Sequence, residues 1–168
     1  KALQINPNSY EVRNSFGYVL VHAGQIAEGI KQYRAGLRLK PDCAELEYNL
    51  GDALLYAKRP GEAIGHYEKA LQLKPAFLEV HGNLGYALFH VGRLDEAIRH
   101  YQLAIQAHEE SAELHYNLGN VLLHGGRFKE AIPEFEAALR IRPDFRDAQY
   151  NLDLARKKLQ ERQPNGAP

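Results

Sequence analysis

The chain has 168 residues, of which 45% are apolar and 25% charged, an ordinary soluble balance. Lysine plus arginine and aspartate plus glutamate number 21 each, so the formal net charge is zero. That argues against a nucleic-acid binder, whose affinity would come mainly from neutralising phosphates, while leaving room for a local basic patch. The single cysteine, Cys43, excludes an internal disulfide. No run of about 18 apolar residues is present, so membrane insertion by this fragment is not expected. A free thiol and the lack of a signal peptide give a cytoplasmic expectation for it.

In chain order, Lys1 to Ser9 (KALQINPNS) matches the close of a later stretch, Lys69 to Phe77 (KALQLKPAF). This predicts the end of a truncated preceding repeat over residues 1–9. A loose repeat covers 10–43. Three close copies follow at Ala44, Leu78 and Ala112, 34 residues apart, giving repeats over 44–77, 78–111 and 112–145. A half-copy over 146–163 and a disordered tail over 164–168 complete the expected division. A period of this length predicts one continuous solenoid in which each unit touches only its neighbours.

Each repeat reads as two helices. In the second, Leu46, Leu50, Ala53, Leu54 and Ala57 recur at three- and four-residue steps over Ala44 to Ala57. A break follows at Gly24-Gln25, Lys58 to Gly61, Gly92-Arg93 and Gly125 to Arg127. The second helix, for example Gly61 to Leu73, carries Ala63, Ile64, Tyr67, Ala70 and Leu71 on one face, and Pro60 suits its first turn. It ends at Pro41, Pro75 and Pro143; Glu109 replaces the proline in the third repeat, so that turn is less sharply specified. Pro133 is read as lying close to a helix start, where a missing N–H costs little.

Gly17, Gly51, Gly85 and Gly119 stand mid-helix, which calls for a close approach; the expected partners are Ala63, Ala97 and Ala131. Gly29 and Gly36 replace alanine in the first full repeat, predicting looser packing there. In the last element Asp153 and Arg156 replace glycine and leucine, and Lys157, Lys158, Glu161 and Arg162 follow, a polar capping helix. The amino-terminal end has no such cap. Under-covered apolar residues around Phe16 open the possibility of self-association there.

The recurring pattern is Asn49-Leu50-Gly51, Ala63-Ile64, Tyr67, Ala70-Leu71 and Pro75. It returns as Asn117-Leu118-Gly119, Ala131-Ile132, Phe135, Ala138-Leu139 and Pro143. In this the chain resembles the tetratricopeptide repeat family over essentially residues 1–162. The resemblance implies an all-α fold, a tetratricopeptide-repeat solenoid, with antiparallel helix pairs wound into a right-handed superhelix and first helices lining a concave groove. It also implies protein or peptide binding rather than catalysis.

Helical geometry marks a candidate binding stripe without the family. At about 100° per residue, the second, sixth, ninth and thirteenth residues of each first helix align. They are Glu11, Ser15, Tyr18 and His22; Glu45, Asn49, Asp52 and Tyr56; Glu79, Asn83, Tyr86 and His90; Glu113, Asn117, Asn120 and His124; and Asp147 with Asn151. Tyr48, Phe89, Tyr116 and Tyr150 stand at the edge. Aromatic, histidine and asparagine side chains suit recognition, through broad contact area with polar tips. The alternative is that the tyrosines pack between neighbouring first helices. Asn49, Asn83, Asn117 and Asn151 form a ladder able to grip a peptide backbone, since an amide both donates and accepts. The arm of the O-linked N-acetylglucosamine transferase is similar in this respect. Equally, each asparagine can bond to a neighbouring helix.

The stripe argues against an acidic carboxy-terminal chaperone tail as partner, because its second position is acidic in all five first helices. A neutral, aromatic or moderately basic segment is favoured. No two histidines sit three or four residues apart on one helix, so no metal is expected. No phosphate loop, nucleophile elbow or other cofactor motif is present, and no catalytic group stands out. The sequence thus reads as a non-catalytic interaction scaffold. Two other readings remain open: the substrate-recognition arm of a larger enzyme such as a glycosyltransferase, and a self-assembly module.

Overall fold

The computed structural model describes residues 9–108 and 110–162. The repeat end expected over residues 1–9 lies outside the described residues except for Ser9. Glu109, residue 163 and the tail over 164–168 lie outside them as well.

Among the described residues every regular element is an α-helix. They are α1 Tyr10–His22, α2 Ile26–Leu39, α3 Ala44–Tyr56, α4 Pro60–Leu73, α5 Glu79–His90, α6 Leu94–Ala107, α7 Ala112–His124, α8 Phe128–Ile141 and α9 Arg146–Arg162. The chain divides into two compact units, Lys1–Val91 and Gly92–Pro168. In the first, α1 packs on α2, α2 on α3, α3 on α4 and α4 on α5, and α3 touches both α1 and α5. In the second, α6 packs on α7, α7 on α8 and α8 on α9, and α7 also touches α9.

The helix ends follow from local chemistry. Ser9 and Ser111 cap α1 and α7: their hydroxyls accept from the Val12 and Leu114 amides at 3.2 and 3.3 Å. Cys43 stands in the same place before α3 and makes no such cap. Three first helices, α1, α3 and α7, end in a left-handed residue that returns two amides to the last turn. Gly24 at φ 78° lets its own N–H reach Val21 O and that of Gln25 reach Leu20 O. Gly126 at φ 69° does the same for α7. In α3 the left-handed position falls to Lys58 at φ 60°, the only non-glycine among the described residues with positive φ.

The exit turn of α6 forms without a proline at its end. Ser111 N–H donates to His108 O at 3.1 Å, as Phe77 donates to Lys74 O at 3.0 Å and Phe145 to Arg142 O at 3.2 Å. Pro133 is a correction. It is the sixth residue of α8, past the first turn, so one intrahelical bond is lost. Pro133 is exposed and the helix continues through it.

Leu46, Leu50 and Leu54 of α3 are fully buried, together with Ala63, Tyr67 and Ala70 of α4. Three of the mid-helix glycines, Gly17, Gly51 and Gly119, meet aromatic rings rather than the alanines expected. A Cβ on Gly51 would lie 2.6 Å from the Tyr67 ring, one on Gly119 2.6 Å from Phe135, and one on Gly17 2.7 Å from Tyr33. The ring comes so close to the bare backbone that even an added methyl group would force a shift. At Gly29 and Gly36 no space stands empty: an added Cβ would meet Val21 at 2.5 Å and Leu46 at 3.0 Å. Larger neighbours have moved in where alanine would have sat.

The outer face of α9 is polar. Arg156 pairs with Glu136 of α8 at 2.8 Å. Arg162 donates to the Gly126 carbonyl at 2.9 Å and lies 4.5 Å over the Phe128 ring. Asp153 accepts from Gln149, also on the exposed side. At the other end of the chain Phe16 and Val19 of α1 are 36% and 60% exposed.

Candidate functional site

The first helices of the unit ending at Val91 hold a carboxylate where the sequence pattern placed a surface group. Asp52 on α3 accepts from the Tyr67 phenol of α4 at 2.6 Å and from Asn83 Nδ2 of α5 at 2.8 Å. Tyr48, one turn back on α3, also hydrogen-bonds it. Burial raises the Asp52 pKa above its ordinary value, and the three donors oppose that rise. The surrounding phenols respond. Burial, then the charge of Asp52, pushes Tyr33 up to about 12 and raises Tyr48 and Tyr67 further still. One aspartate thus ties three helices together through neutral donors.

The asparagine ladder is largely engaged between helices. Asn49 Nδ2 donates to Asn14 Oδ1 of α1 at 2.8 Å, and Asn83 Nδ2 donates to Tyr48 at 3.2 Å besides Asp52. Asn151 Nδ2 donates to Asn120 Oδ1 at 2.6 Å, linking α9 to α7. Asn117 is half-buried on α7. The amide hydrogens that would grip a peptide are therefore directed at the preceding first helix in three of the four positions. The stripe is not simply opposite the core; its middle is an interhelical seam.

Two edge tyrosines also pack. Tyr48 lies between Tyr67 and Phe77, with ring centroids 6.0 and 5.1 Å away. Tyr116 lies between Phe135 and Phe145, at 6.1 and 4.7 Å. Each ring cluster is closed by a cation: Lys74 over Phe77 at 4.3 Å and Arg142 over Phe145 at 3.9 Å. The same cations reach the acidic second residues, Lys74 to Glu45 at 3.6 Å and Arg142 to Glu113 at 2.8 Å. The recurrence of Phe77 as Phe145, two repeat lengths on at the equivalent position, with Lys74 and Arg142 three residues before them, was the sequence signal for this clamp.

A further pairing was legible only in hindsight. Glu47 on α3 meets His66 on α4 at 2.6 Å, whereas His115 on α7 meets Glu134 on α8 at 2.7 Å. The acid and the imidazole have exchanged helices between the two repeats. In the first full repeat the equivalent positions hold Arg13 and Gln32, joined at 2.8 Å.

What remains open to a partner is an aromatic and imidazole row. In the unit ending at Val91, Tyr18, Tyr56 and Tyr86 are 57%, 59% and 41% exposed. His22 and His90, also exposed, lie against Tyr18 and Tyr86 with centroids 4.1 and 4.2 Å apart and ring planes tilted by 53° and 54°. Phe89 is half-buried beside His90 at 5.5 Å. In the other unit Tyr150 is 70% exposed, and exposed His124 has its Nδ1 2.9 Å from the Asn120 carbonyl oxygen. Among the described residues no group of three histidine, cysteine or carboxylate side chains is placed to hold a metal ion. No described helix is long and apolar enough to cross a membrane.

The helix pairs, the glycine under each aromatic ring and the recurring seam meet a family pattern that covers residues 15–76 and 83–144, described as tetratricopeptide repeat. The chain belongs to the tetratricopeptide repeat family. Among curated proteins no sequence matches it. Among solved structures it is similar to YrrB, a TPR protein described as having an unusual peptide-binding site, with 23% identity, 96% of this chain and 84% of that one covered, and a TM-score of 0.85. It is similar to the MamA protein at 26% identity, with 91% and 84% covered and a TM-score of 0.85. It is similar to PilF of Pseudomonas aeruginosa at 23% identity, with 90% and 69% covered and a TM-score of 0.77. Tetratricopeptide-repeat proteins are typically protein–protein interaction modules and are generally non-catalytic.

Proposed function

We propose that this tetratricopeptide-repeat chain is a non-catalytic scaffold that binds an extended peptide or a partner helix along the face of its first helices. The repeats would run over 10–43, 44–77, 78–111 and 112–145, with α9 as the cap. The observation that carries this reading is the exposure of Tyr18, Tyr56 and Tyr86 on three first helices, α1, α3 and α5, of one unit. The core does not need these rings, and large exposed aromatics are what recognition surfaces are built from. The asparagines take a supporting part by holding the seam between the first helices. That YrrB has the same fold and a peptide-binding site supports the type of partner; at 23% identity it says nothing of which peptide.

The test is a selection from a displayed peptide library against the chain, run beside the Tyr56→Ala/Tyr86→Ala variant. A convergent motif that the variant no longer binds supports the reading. A motif bound equally by the variant, whose helicity circular dichroism shows to be intact, overturns it.

A further inference from the structure

The charge of that face is one-sided. α1, α3 and α5 together carry five carboxylates, Glu11, Glu45, Glu47, Asp52 and Glu79, against one arginine, Arg13. The whole chain is neutral, so this is a local excess. Arg13 and Glu47 are turned toward the second helices, where they bond to Gln32 and His66. The stripe itself therefore holds Glu11, Glu45, Asp52 and Glu79 and no lysine or arginine from its own three helices. Two cations come near its outer edge from the ends of α2 and α4: Lys40 lies over Tyr10, and Lys74 lies over Phe77 and pairs with Glu45 at 3.6 Å. Neither reaches Asp52, whose hydrogen bonds come from Tyr67, Asn83 and Tyr48, all neutral.

Resting on the binding face argued above, we propose that the first-helix face of the Lys1–Val91 unit takes an extended, cationic segment of a partner protein, with lysine or arginine side chains laid over Tyr18, Tyr56 and Tyr86. The rings and the carboxylates of this face contribute differently, since Glu11 and Glu79 stand about two helical turns from Tyr18 and Tyr86. The ring offers its π face to a guanidinium or ammonium, and the carboxylate supplies the field. A neutral segment would use the rings and gain nothing from the carboxylates. An acidic one would be repelled. The tilted contacts of His22 with Tyr18 and of His90 with Tyr86 restrain two of the rings before any ligand arrives, which lowers the ordering cost of binding. Packed helices lie about 10 Å apart, and an extended chain advances ~3.3 Å per residue, so successive rings call for basic residues roughly three apart.

The experiment selects peptides of about twelve random residues, long enough at ~3.3 Å each to cross three helices, against the full chain. Enriched peptides are then titrated by fluorescence anisotropy. Three variants are compared: Tyr18→Ala/Tyr56→Ala/Tyr86→Ala, the same three positions changed to Phe, and Glu11→Gln/Glu79→Gln. Circular dichroism confirms that each keeps its helicity. The expected peptides are rich in lysine or arginine. Their affinity falls about tenfold or more in the triple alanine variant and holds in the triple phenylalanine variant, which keeps the π faces. It falls several-fold in the double glutamine variant, and on raising salt from about 0.05 to 0.5 M. Neutral or acidic peptides that the alanine variant no longer binds would overturn the charge proposal and leave the binding face standing. No enrichment, or enrichment indifferent to the alanine variant, would overturn both.

Discussion

Asn83 Nδ2 on α5 lies 2.8 Å from Asp52 Oδ1 on α3 and 3.2 Å from the Tyr48 hydroxyl. An amide that the sequence pattern placed in a ligand groove is thereby a structural bond between helices. Removing it leaves a part-buried carboxylate one donor short, at a cost of roughly 1 kcal/mol or more. Asn83→Ala is expected to lower the urea midpoint with an unchanged slope. A variant as stable as the parent would show that water replaces the amide at no cost.

Asp52 gives the fold a pH dependence of defined sign. Its pKa is raised on folding above its ordinary 3.8, so the folded chain holds the proton more tightly than the unfolded chain. The stabilisation from protonating Asp52 is complete below 3.8 and is lost as pH climbs through the raised folded value. Lowered carboxylates such as Glu45 and Glu62 act the other way, gaining stability as pH rises, but they are common to parent and variant. The difference in unfolding free energy between the parent and Asp52→Asn should therefore shift in favour of the variant as pH rises from about 3 to 6. A difference that is flat over that range would remove Asp52 from the account.

Cys43 occupies the capping position that Ser9 and Ser111 use. Cys43→Ser should give α3 a stronger side-chain bond to the Leu46 amide than the thiol makes, and stabilise the chain by ~1 kcal/mol. Thermal or urea unfolding reads the gain. A loss instead would mean that burying the hydroxyl outweighs the cap.

The same substitution should act with opposite signs at two glycines. Gly65 is exposed inside α4 with nothing within 4 Å of an added Cβ, so Gly65→Ala should stabilise by up to ~1 kcal/mol. Gly51→Ala would meet the fully buried Tyr67 ring at 2.6 Å, and that ring is anchored by its bond to Asp52. Overpacking of about 1–3 kcal/mol exceeds the propensity gain there. Paired denaturation curves check both; a neutral Gly51→Ala would mean that α4 shifts freely.

The exchanged pairs Glu47–His66 and His115–Glu134 predict that either polarity is accepted between the two helices of a repeat. Glu47→His and His66→Glu should each destabilise the chain. The double exchange should recover roughly 1 kcal/mol of coupling in a double-mutant cycle. Zero coupling would show that the two side chains act independently.

The periodic features were legible in the chain itself. The helix pairs recur because Leu46, Leu50 and Leu54 repeat at helical steps, and breaks follow where Gly24, Gly92 and Gly126 supply the left-handed residue. Lys58 in that role was not legible, since a lysine carries no signal for positive φ. Nor were the partners of the glycines: the pattern says that something comes close to Gly51, and only packing says that it is the Tyr67 ring.

The sequence by itself determined the all-α tetratricopeptide-repeat fold, because one-dimensional periodicity is a local property repeated along the chain. It also determined the list of polar and aromatic residues on the first helices. Which of those residues look outward was decided by tertiary structure. Asp52 and Tyr56 sit four residues apart on one helix, yet Asp52 is drawn into a seam by Tyr67 and Asn83, while Tyr56 is 59% exposed. Helical phase gives a direction from the axis; burial depends on what the neighbouring helices bring to that direction.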